Sequence, residues 1–441
     1  MRKIGVGLLG CGVVGSAVVR SLHQNAETIA ARCGAEFEVR KIAVRETGKN
    51  RGLPADPRGL MTNSMEEVVS APDIDMVVEL MGGEDAAYEA IIKAIGNGKH
   101  VVTANKLVLA KRGEEIFEAA GDAGVELGFE ASVAGGVPVI RTIKEAVAGG
   151  GIKSVFGIIN GTANYILTDM TEKGESFNDA LKEAKRLGYA EADPSFDIGG
   201  IDAAHKITIL ANLAFGTPVD FESVYVEGIE EISPDDIYFA KQFGRVIKLL
   251  ATARIESGKV DVRVHPAMVP EQSPIAHING VTNAVELEIG GVGKLILIGA
   301  GAGGDPTASS VIADMVEIAR NIESGSVGRV SPFAFMKNAR RKLPMKPIEE
   351  IKSGYYLRFA VFDKPGVLAA MSGILGKHGI SIASVIQKGR SHGAVPLVIL
   401  THEAREKEMR LAVKELDKLE STKEKTKIIR LENGGENDEK K

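Results

Sequence analysis

The sequence predicts an α/β protein built in three parts, and three observations carry that prediction. At the N-terminus a glycine loop stands between an apolar strand and an amphipathic stretch of helical period. The middle of the chain mixes helices and strands without βαβ regularity, and the C-terminal stretch reads βαββαβ. A chain of 441 residues also exceeds what one hydrophobic core organises.

Composition narrows the class. With 44% apolar and 26% charged residues the chain reads as a globular protein. No run approaches the roughly 20 consecutive apolar residues of a membrane span. A net charge of −5 with dispersed basic residues argues against nucleic acid as a partner. Cys11 and Cys33 are the only cysteines. Neither a disulfide framework nor structural zinc is expected, and the expected location is the reducing cytoplasm.

The opening "MRKIGVGLLGCGVVGSAVVR" resembles a lipoprotein signal ending at Cys11. A signal core needs about 7–15 apolar residues. Ile4 to Leu9 is shorter and contains Gly5 and Gly7, while Val14, Val18 and Leu22 continue at helical spacing. The stretch therefore reads as a dinucleotide grip, Gly10-x-Gly12-x-x-Gly15. Gly10 makes the tight turn, Gly12 admits the pyrophosphate, and Gly15 allows close helix–strand contact. Phosphate rests at the helix start near Val13, so Gly10, Gly12, Val13, Val14 and Gly15 are the expected cofactor contacts.

The next strand, "FEVRKIAV", should end at Val44. Where NAD-preferring sites carry an acid, this chain has Arg45, followed by Lys49 and Arg51. Arginine suits a 2′-phosphate and favours NADP(H), with NAD(H) and a merely solvated basic loop as the alternatives. "IDMVVEL" runs into Met81-Gly82-Gly83, and "KHVVTANK" ends in Asn105 and Lys106. Ligands lie outside the carboxyl ends of such strands, which directs Thr103, Asn105 and Lys106 toward cofactor and substrate. The late "LILIGAGAGGDPTASSVIADMV", with Asp305 as N-cap and Pro306 in the first turn, reads as a return to the first domain that brings Gly301 and Gly303 near the cofactor.

In the middle, "SVFGIINGTANYILTDM" reads as a strand, a turn at Asn160-Gly161-Thr162 and a helix. That helix N-terminus can hold a small carboxylate, or the turn is an ordinary one. "GYAEADPSFDIGGIDAAHKITILANLAFG" contains a helix apolar nearly all round, hence buried, yet Asp202 and Lys206 stand on it one turn apart. Buried charges need partners or a job. Glu191, Asp193 and Asp197 crowd the stretch upstream, suggesting a pocket for a cationic, hydroxyl-bearing substrate, while His205 reads as structural.

Taken in order, the glycine loop, "VVTANK", "FEASVAGGVPVI", "NGTANYIL", "GYAEADPSFDIGGIDAAHK" and "GAGAGGDPTASSV" resemble homoserine dehydrogenase over about residues 1–335. The resemblance implies a Rossmann-type domain and reversible reduction of L-aspartate 4-semialdehyde to L-homoserine, a step toward threonine, methionine and isoleucine. It implies Lys206 as the catalytic lysine, Glu191, Asp202 and Asp197 as substrate-binding acids, and Lys106 beside nicotinamide and substrate. It further implies a monovalent cation, sodium, held by Glu130 and the main-chain oxygens of Val133, Gly135 and Val137. A hydroxy-acid dehydrogenase is the rival reading, but such enzymes rely on a His–carboxylate pair that this helix does not supply.

After "KNARRKLPMKPIEE", the stretch "DKPGVLAAMSGILGKHGISI" resembles an ACT domain, which implies an amino-acid effector, threonine first, bound where two copies meet. The helix start at Asp363–Gly366 is the physical ground, since it can receive a carboxylate. The expected division is 1–150 (completed by 300–335) for the dinucleotide and 151–299 for catalysis and dimerisation. A linker, 336–352, an ACT unit, 353–432, and a disordered tail, 433–441, follow. A homo-oligomer, dimer or tetramer, is expected.

Overall fold

The computed structural model describes residues 1–54, 58–387 and 394–432; the expected tail, 433–441, lies outside the described residues. Six strands form an all-parallel sheet: β1 (Arg2–Leu9), β2 (Ala35–Ala43), β3 (Met61–Thr62), β4 (Met76–Glu79), β5 (His100–Thr103) and β6 (Leu127–Gly128). Their order, β3-β2-β1-β4-β5-β6, is that of a Rossmann-type doubly wound sheet, with its switch point between β1 and β4. Side chains alternate between two cores. Leu8, Met76, Val78 and Val102 face the helices Val13–Gln24 and Gly304–Ser324, while Leu9, Val77 and Val101 face Asp85–Gly96 and Lys106–Ala123. Burial on both faces explains why these strands read as apolar runs. β2 stops at Ala43, one residue short of the expected end, and the Val44 N–H crosses to the Thr62 carbonyl.

A second, mixed sheet holds the rest of the strands: β7 (Ile152–Ile158), β8 (Tyr225–Val226), β9 (Arg245–Glu256), β10 (Lys259–Pro270), β11 (Thr282–Ile289), β12 (Gly293–Ala300), β13 (Lys352–Phe362), β14 (Ile382–Gln387), β15 (Ala394–Thr401), β16 (Ala404–Arg405) and β17 (Lys427–Leu431). Its path is β12-β11-β7-β9-β10-β17-β13-β15-β14. The last four strands on that path, with the helices Val367–Lys377 and Glu406–Leu416, form the ferredoxin-like unit. β17 pairs in parallel with β10, Ala267 opposite Arg430 and Met268 opposite Leu431, so the C-terminal unit extends the sheet of the middle domain.

The segment expected as a linker is held against the middle domain. The Arg341 N–H bonds the Gly216 carbonyl, the Leu343 N–H bonds Thr217 Oγ1, and Met345 bridges Val260. Its basic residues are engaged: Lys346 pairs with Glu256 at 2.6 Å and Arg340 lies over the Phe333 ring. No helix among the described residues is long and apolar enough to cross a membrane.

Candidate active site

A cleft of about 930 Å³ opens at the switch point, lined by Gly10, Gly12, Val13, Arg45, Met81 and Gly82. Gly10 has φ +95°, and a Cβ there would fall 2.7 Å from the Leu80 carbonyl oxygen. At Gly15 a Cβ would meet the Gly10 carbonyl oxygen at 2.6 Å, whereas at Gly12 it would meet nothing within 4 Å. Two glycines thus permit close packing, and the third leaves room for a ligand. Gly12 provides no side-chain cap, so the first N–H groups of the helix Val13–Gln24 are left for an anion. Val13 is 76% exposed at that spot, while the Val14 side chain packs on the core.

Arg45 and Lys49 line the cleft. Arg51, of the same basic cluster, is a strut instead: its guanidinium donates to the carbonyls of Cys11 (3.1 Å), Lys49 (2.8 Å) and Glu46 (2.8 Å). Gly303, at φ +120°, is the N-cap of Gly304–Ser324, displacing Asp305 into the first turn, where it pairs with Arg20. A Cβ on Gly304 would lie 3.1 Å from Val13 Cγ1, so this helix abuts the glycine loop. Gly301 faces elsewhere, against the Asn283 side chain. Thr103 does not present its side chain to the cleft. It is fully buried and donates its hydroxyl to Glu79 at 2.6 Å.

Lysines from two domains meet on one aspartate. Lys106 opens the helix Lys106–Ala123, capped by Asn105, whose Oδ1 accepts the Val108 N–H. Lys206 projects from Ile201–Phe215, a helix buried from Asp202 to Phe215. Lys106 Nζ pairs with Asp202 Oδ1, and Lys206 Nζ donates to Asp202 Oδ2 (2.7 Å) and the Ile159 carbonyl (2.8 Å). An ammonium has three hydrogens, so Lys206 keeps one beyond these bonds. Asn160 Nδ2 bridges Asp202 Oδ2 (2.8 Å) and Asp197 Oδ1 (2.7 Å), and Thr162 Oγ1 donates to the Tyr189 carbonyl beside Asp197.

Burial opposes the charge on Asp202, which is 2% exposed, but the Lys206 and Lys106 ammoniums overcome it and hold the carboxyl well below its usual range. Burial lowers the Lys206 pKa, Asp202 resists, and Lys106 adds to the lowering. Of the four carboxylates expected around one lysine, Asp202 bonds it directly and Asp197 joins through Asn160 Nδ2. Asp193 caps the Ser195 N–H at 3.1 Å, and Glu191 stands exposed without a hydrogen bond or ion pair to any described residue. His205 is buried and stacks on Phe221 at 4.4 Å. Burial pushes its pKa down to about 4, which keeps the ring neutral.

In the loop after β6, Glu130 accepts the N–H groups of Ile140 and Arg141, each at 2.8 Å. Burial, then the Asp314 carboxyl, push its pKa up to about 7. The Gly135 carbonyl accepts Ser310 Oγ at 2.7 Å, and the Val137 carbonyl accepts the Val139 N–H at 2.8 Å. No group of three or more His, Cys, Asp or Glu among the described residues could hold a metal ion. With Val133, the loop offers one carboxylate and three carbonyls, an oxygen set whose chemistry suits a hard, weakly charged cation and not a transition metal.

Two buried acids escaped the sequence reading. Glu79 ends β4 and is fully buried, and Asp314 accepts the Glu130 N–H at 2.8 Å. An acid closing an otherwise apolar strand was the available signal for Glu79. Asp314 had none, because it sits on a helix far along the chain.

Comparison with known proteins follows this geometry. Residues 10–130 match the family description "Homoserine dehydrogenase, NAD binding domain", residues 138–316 match "Homoserine dehydrogenase", and residues 355–421 match "ACT domain". A curated homoserine dehydrogenase of Pseudomonas aeruginosa is 45% identical over 98% of this chain and 99% of its own length. The crystal structure of a homoserine dehydrogenase from Thiobacillus denitrificans superposes with a TM-score of 0.92 at 45% identity, covering 98% of this chain and 99% of that one. A hyperthermophilic archaeal homoserine dehydrogenase in complex with NADPH matches 72% of this chain and 97% of its own, with a TM-score of 0.60 and 30% identity.

Proposed function

The chain belongs to the homoserine dehydrogenase family, and from that premise we propose that it interconverts L-aspartate 4-semialdehyde and L-homoserine, with Lys206 moving the proton. The observation that carries the assignment is the Lys106–Asp202–Lys206 cluster, with one Lys206 hydrogen uncommitted. A dinucleotide held along the glycine loop supplies or accepts the hydride. As negative charge develops on the aldehyde oxygen, the Lys206 ammonium stabilises it and donates the proton. Its lowered pKa makes that release easier, and in the oxidative direction lets the neutral amine accept the hydroxyl proton. Asp202 aims both lysines, Asp197 and Glu191 take the substrate ammonium, and the N-terminus of Gly161–Lys173 receives its carboxylate.

NADP(H) is the preferred cofactor in this reading, with Arg45 and Lys49 facing the 2′-phosphate, and NAD(H) a weaker one. The archaeal relative bound to NADPH supports that choice. A sodium ion held by Glu130, Val133, Gly135 and Val137 would brace the loop and take no part in the reaction. The ACT unit takes an amino-acid effector, threonine first, at Gly366, the N-cap of Val367–Lys377, which has no side-chain cap. The enzyme works in the cytoplasm as a homo-oligomer. The outer edge of β12 is unpaired among the described residues and displays Ile298 at 56% exposure.

The test is a spectrophotometric assay with L-homoserine and NADP+ or NAD+, with and without threonine. The expected result is a kcat/KM at least about tenfold higher with NADP+, the margin one charge-assisted pair accounts for, and a lower rate with threonine. Reduction of neither cofactor would remove the assignment.

A further inference from the structure

The cofactor cleft and the lysine cluster lie in different parts of the chain, and hydride transfer requires them in register. One buried side chain ties the two together. Glu79 ends β4 beside the switch point and has no solvent exposure. Its Oε1 accepts the Met81 N–H at 2.7 Å, on the turn that lines the cleft. Its Oε2 accepts the Thr103 hydroxyl at 2.6 Å, at the end of β5.

The connection continues from both arms. Thr103 Oγ1 accepts the Asn105 N–H at 3.0 Å, and Asn105 Nδ2 returns to the Gly83 carbonyl at 2.8 Å, closing a ring of hydrogen bonds. Lys106, the next residue, reaches Asp202. On the cofactor side, the Leu80 carbonyl is the group that leaves no room for a Cβ on Gly10, so the glycine loop leans on the residue after Glu79. Burial pushes the Glu79 pKa up, and the Thr103 hydroxyl and the Met81 and Gly82 N–H groups oppose that rise. A buried carboxyl wholly committed to neighbouring loops has the chemistry of a clamp, since removing it would leave several donors unsatisfied.

We propose that Glu79 is a positioning residue that sets the distance between the hydride-carrying end of the cofactor and the substrate carbon, by holding the Met81–Gly83 turn and the Thr103–Lys106 turn in one register. Glu79 touches neither ligand itself. The inference rests on the reaction assigned above. Misplacement of reacting atoms by about 1 Å costs roughly 100-fold in rate.

The experiment measures oxidation of L-homoserine, protiated or deuterated at its carbinol carbon, by the wild type, Glu79→Gln and Thr103→Val. In Glu79→Gln the expected kcat is roughly 100-fold lower, NADPH affinity by fluorescence changes by less than about threefold, well under one tenfold step, and the deuterium isotope effect rises as hydride transfer becomes rate-limiting. Thr103→Val keeps the volume and removes the hydroxyl, and with it both the arm from Glu79 to β5 and the acceptor of the Asn105 N–H. It should reproduce the raised isotope effect with a smaller loss, and it carries the test if Glu79→Gln fails to fold. Loss of rate only in proportion to the unfolded fraction, with an unchanged isotope effect in the folding variants, overturns the proposal. An active wild type with unaffected variants defeats this inference alone, whereas a wild type inert toward homoserine defeats the reaction and this inference together.

Discussion

Two charge clusters in the molecule are built from different cations. Where the helices Lys106–Ala123 and Ile201–Phe215 meet, Lys106 and Lys206 converge on Asp202. Under the C-terminal unit, Arg254 and Arg263 converge on Glu432, at 3.1 and 2.9 Å, and Arg430 grips Glu406 through two nitrogens while reaching Glu227 at 2.8 Å. The Tyr355 hydroxyl completes that second cluster by donating to Glu406 at 2.8 Å. The difference lies in what each cation can give up. A lysine loses charge readily when buried, and Lys206 is pushed in that direction. An arginine stays charged, and although burial works against Arg430, Glu406 raises its pKa still further. The lysine cluster therefore holds a cation that can shed its proton, and the seam holds cations that keep theirs.

Substitutions can break this contrast. The largest effect is expected from Lys206→Met, which should lower kcat about 1000-fold in both directions, the middle of what a lost general acid–base costs. NADPH affinity, measured by fluorescence titration, should stay close to the wild type. A near-normal kcat would mean that the lysine cluster is only another structural pair. Next comes Glu432→Ala. It leaves Arg254 and the buried Arg263 to share the single carboxylate of Asp261, and denaturant unfolding should show a loss of about 3–5 kcal/mol while the surviving folded enzyme keeps its kcat. If stability were unchanged, the seam would not be holding the domains.

A smaller effect sharpens the comparison through pH. Lys206 must be neutral to accept a proton, so kcat/KM for homoserine oxidation should rise with pH around a midpoint below the ordinary lysine value of 10.5. Aldehyde reduction needs the ammonium and should fall through the same midpoint. Asp202→Asn removes the carboxylate that resists deprotonation, so its midpoint should move further down in addition to any loss of rate. Glu432→Ala should leave the midpoint where it was. A shift there would show the two clusters to be electrostatically coupled.

The parts of the molecule legible in the sequence were those whose chemistry is local. The glycine loop, its helix and the period of the first sheet come from neighbouring residues, and all appear in the structure. Asp202 and Lys206 could be paired because one helical turn separates them. The meeting of Lys106 with Asp202 could be reached only through the resemblance and not from spacing, since it depends on how a helix of the first domain lies across one of the second. Asp193 takes a local role for a physical reason: an aspartate in a turn accepts the N–H two residues on as readily as it lines a pocket. The linker expected at 336–352 is packed down by acidic and aromatic partners from distant parts of the chain, contacts that its own residues do not announce. Register between separate segments, as in β10 with β17, leaves no trace in either strand alone.

The β10–β17 pairing also bears on how the protein is made. β10 spans Lys259–Pro270, while the strand that covers its free edge, Lys427–Leu431, leaves the ribosome much later. Translation at about 5–20 residues per second leaves that edge waiting for roughly 10–30 s. A nascent chain therefore passes through an interval in which an unpaired strand edge can recruit the wrong strand, from itself or from a neighbour. Synthesis speed and chaperone cover over that interval should govern the yield of active enzyme more than any property of the finished cleft.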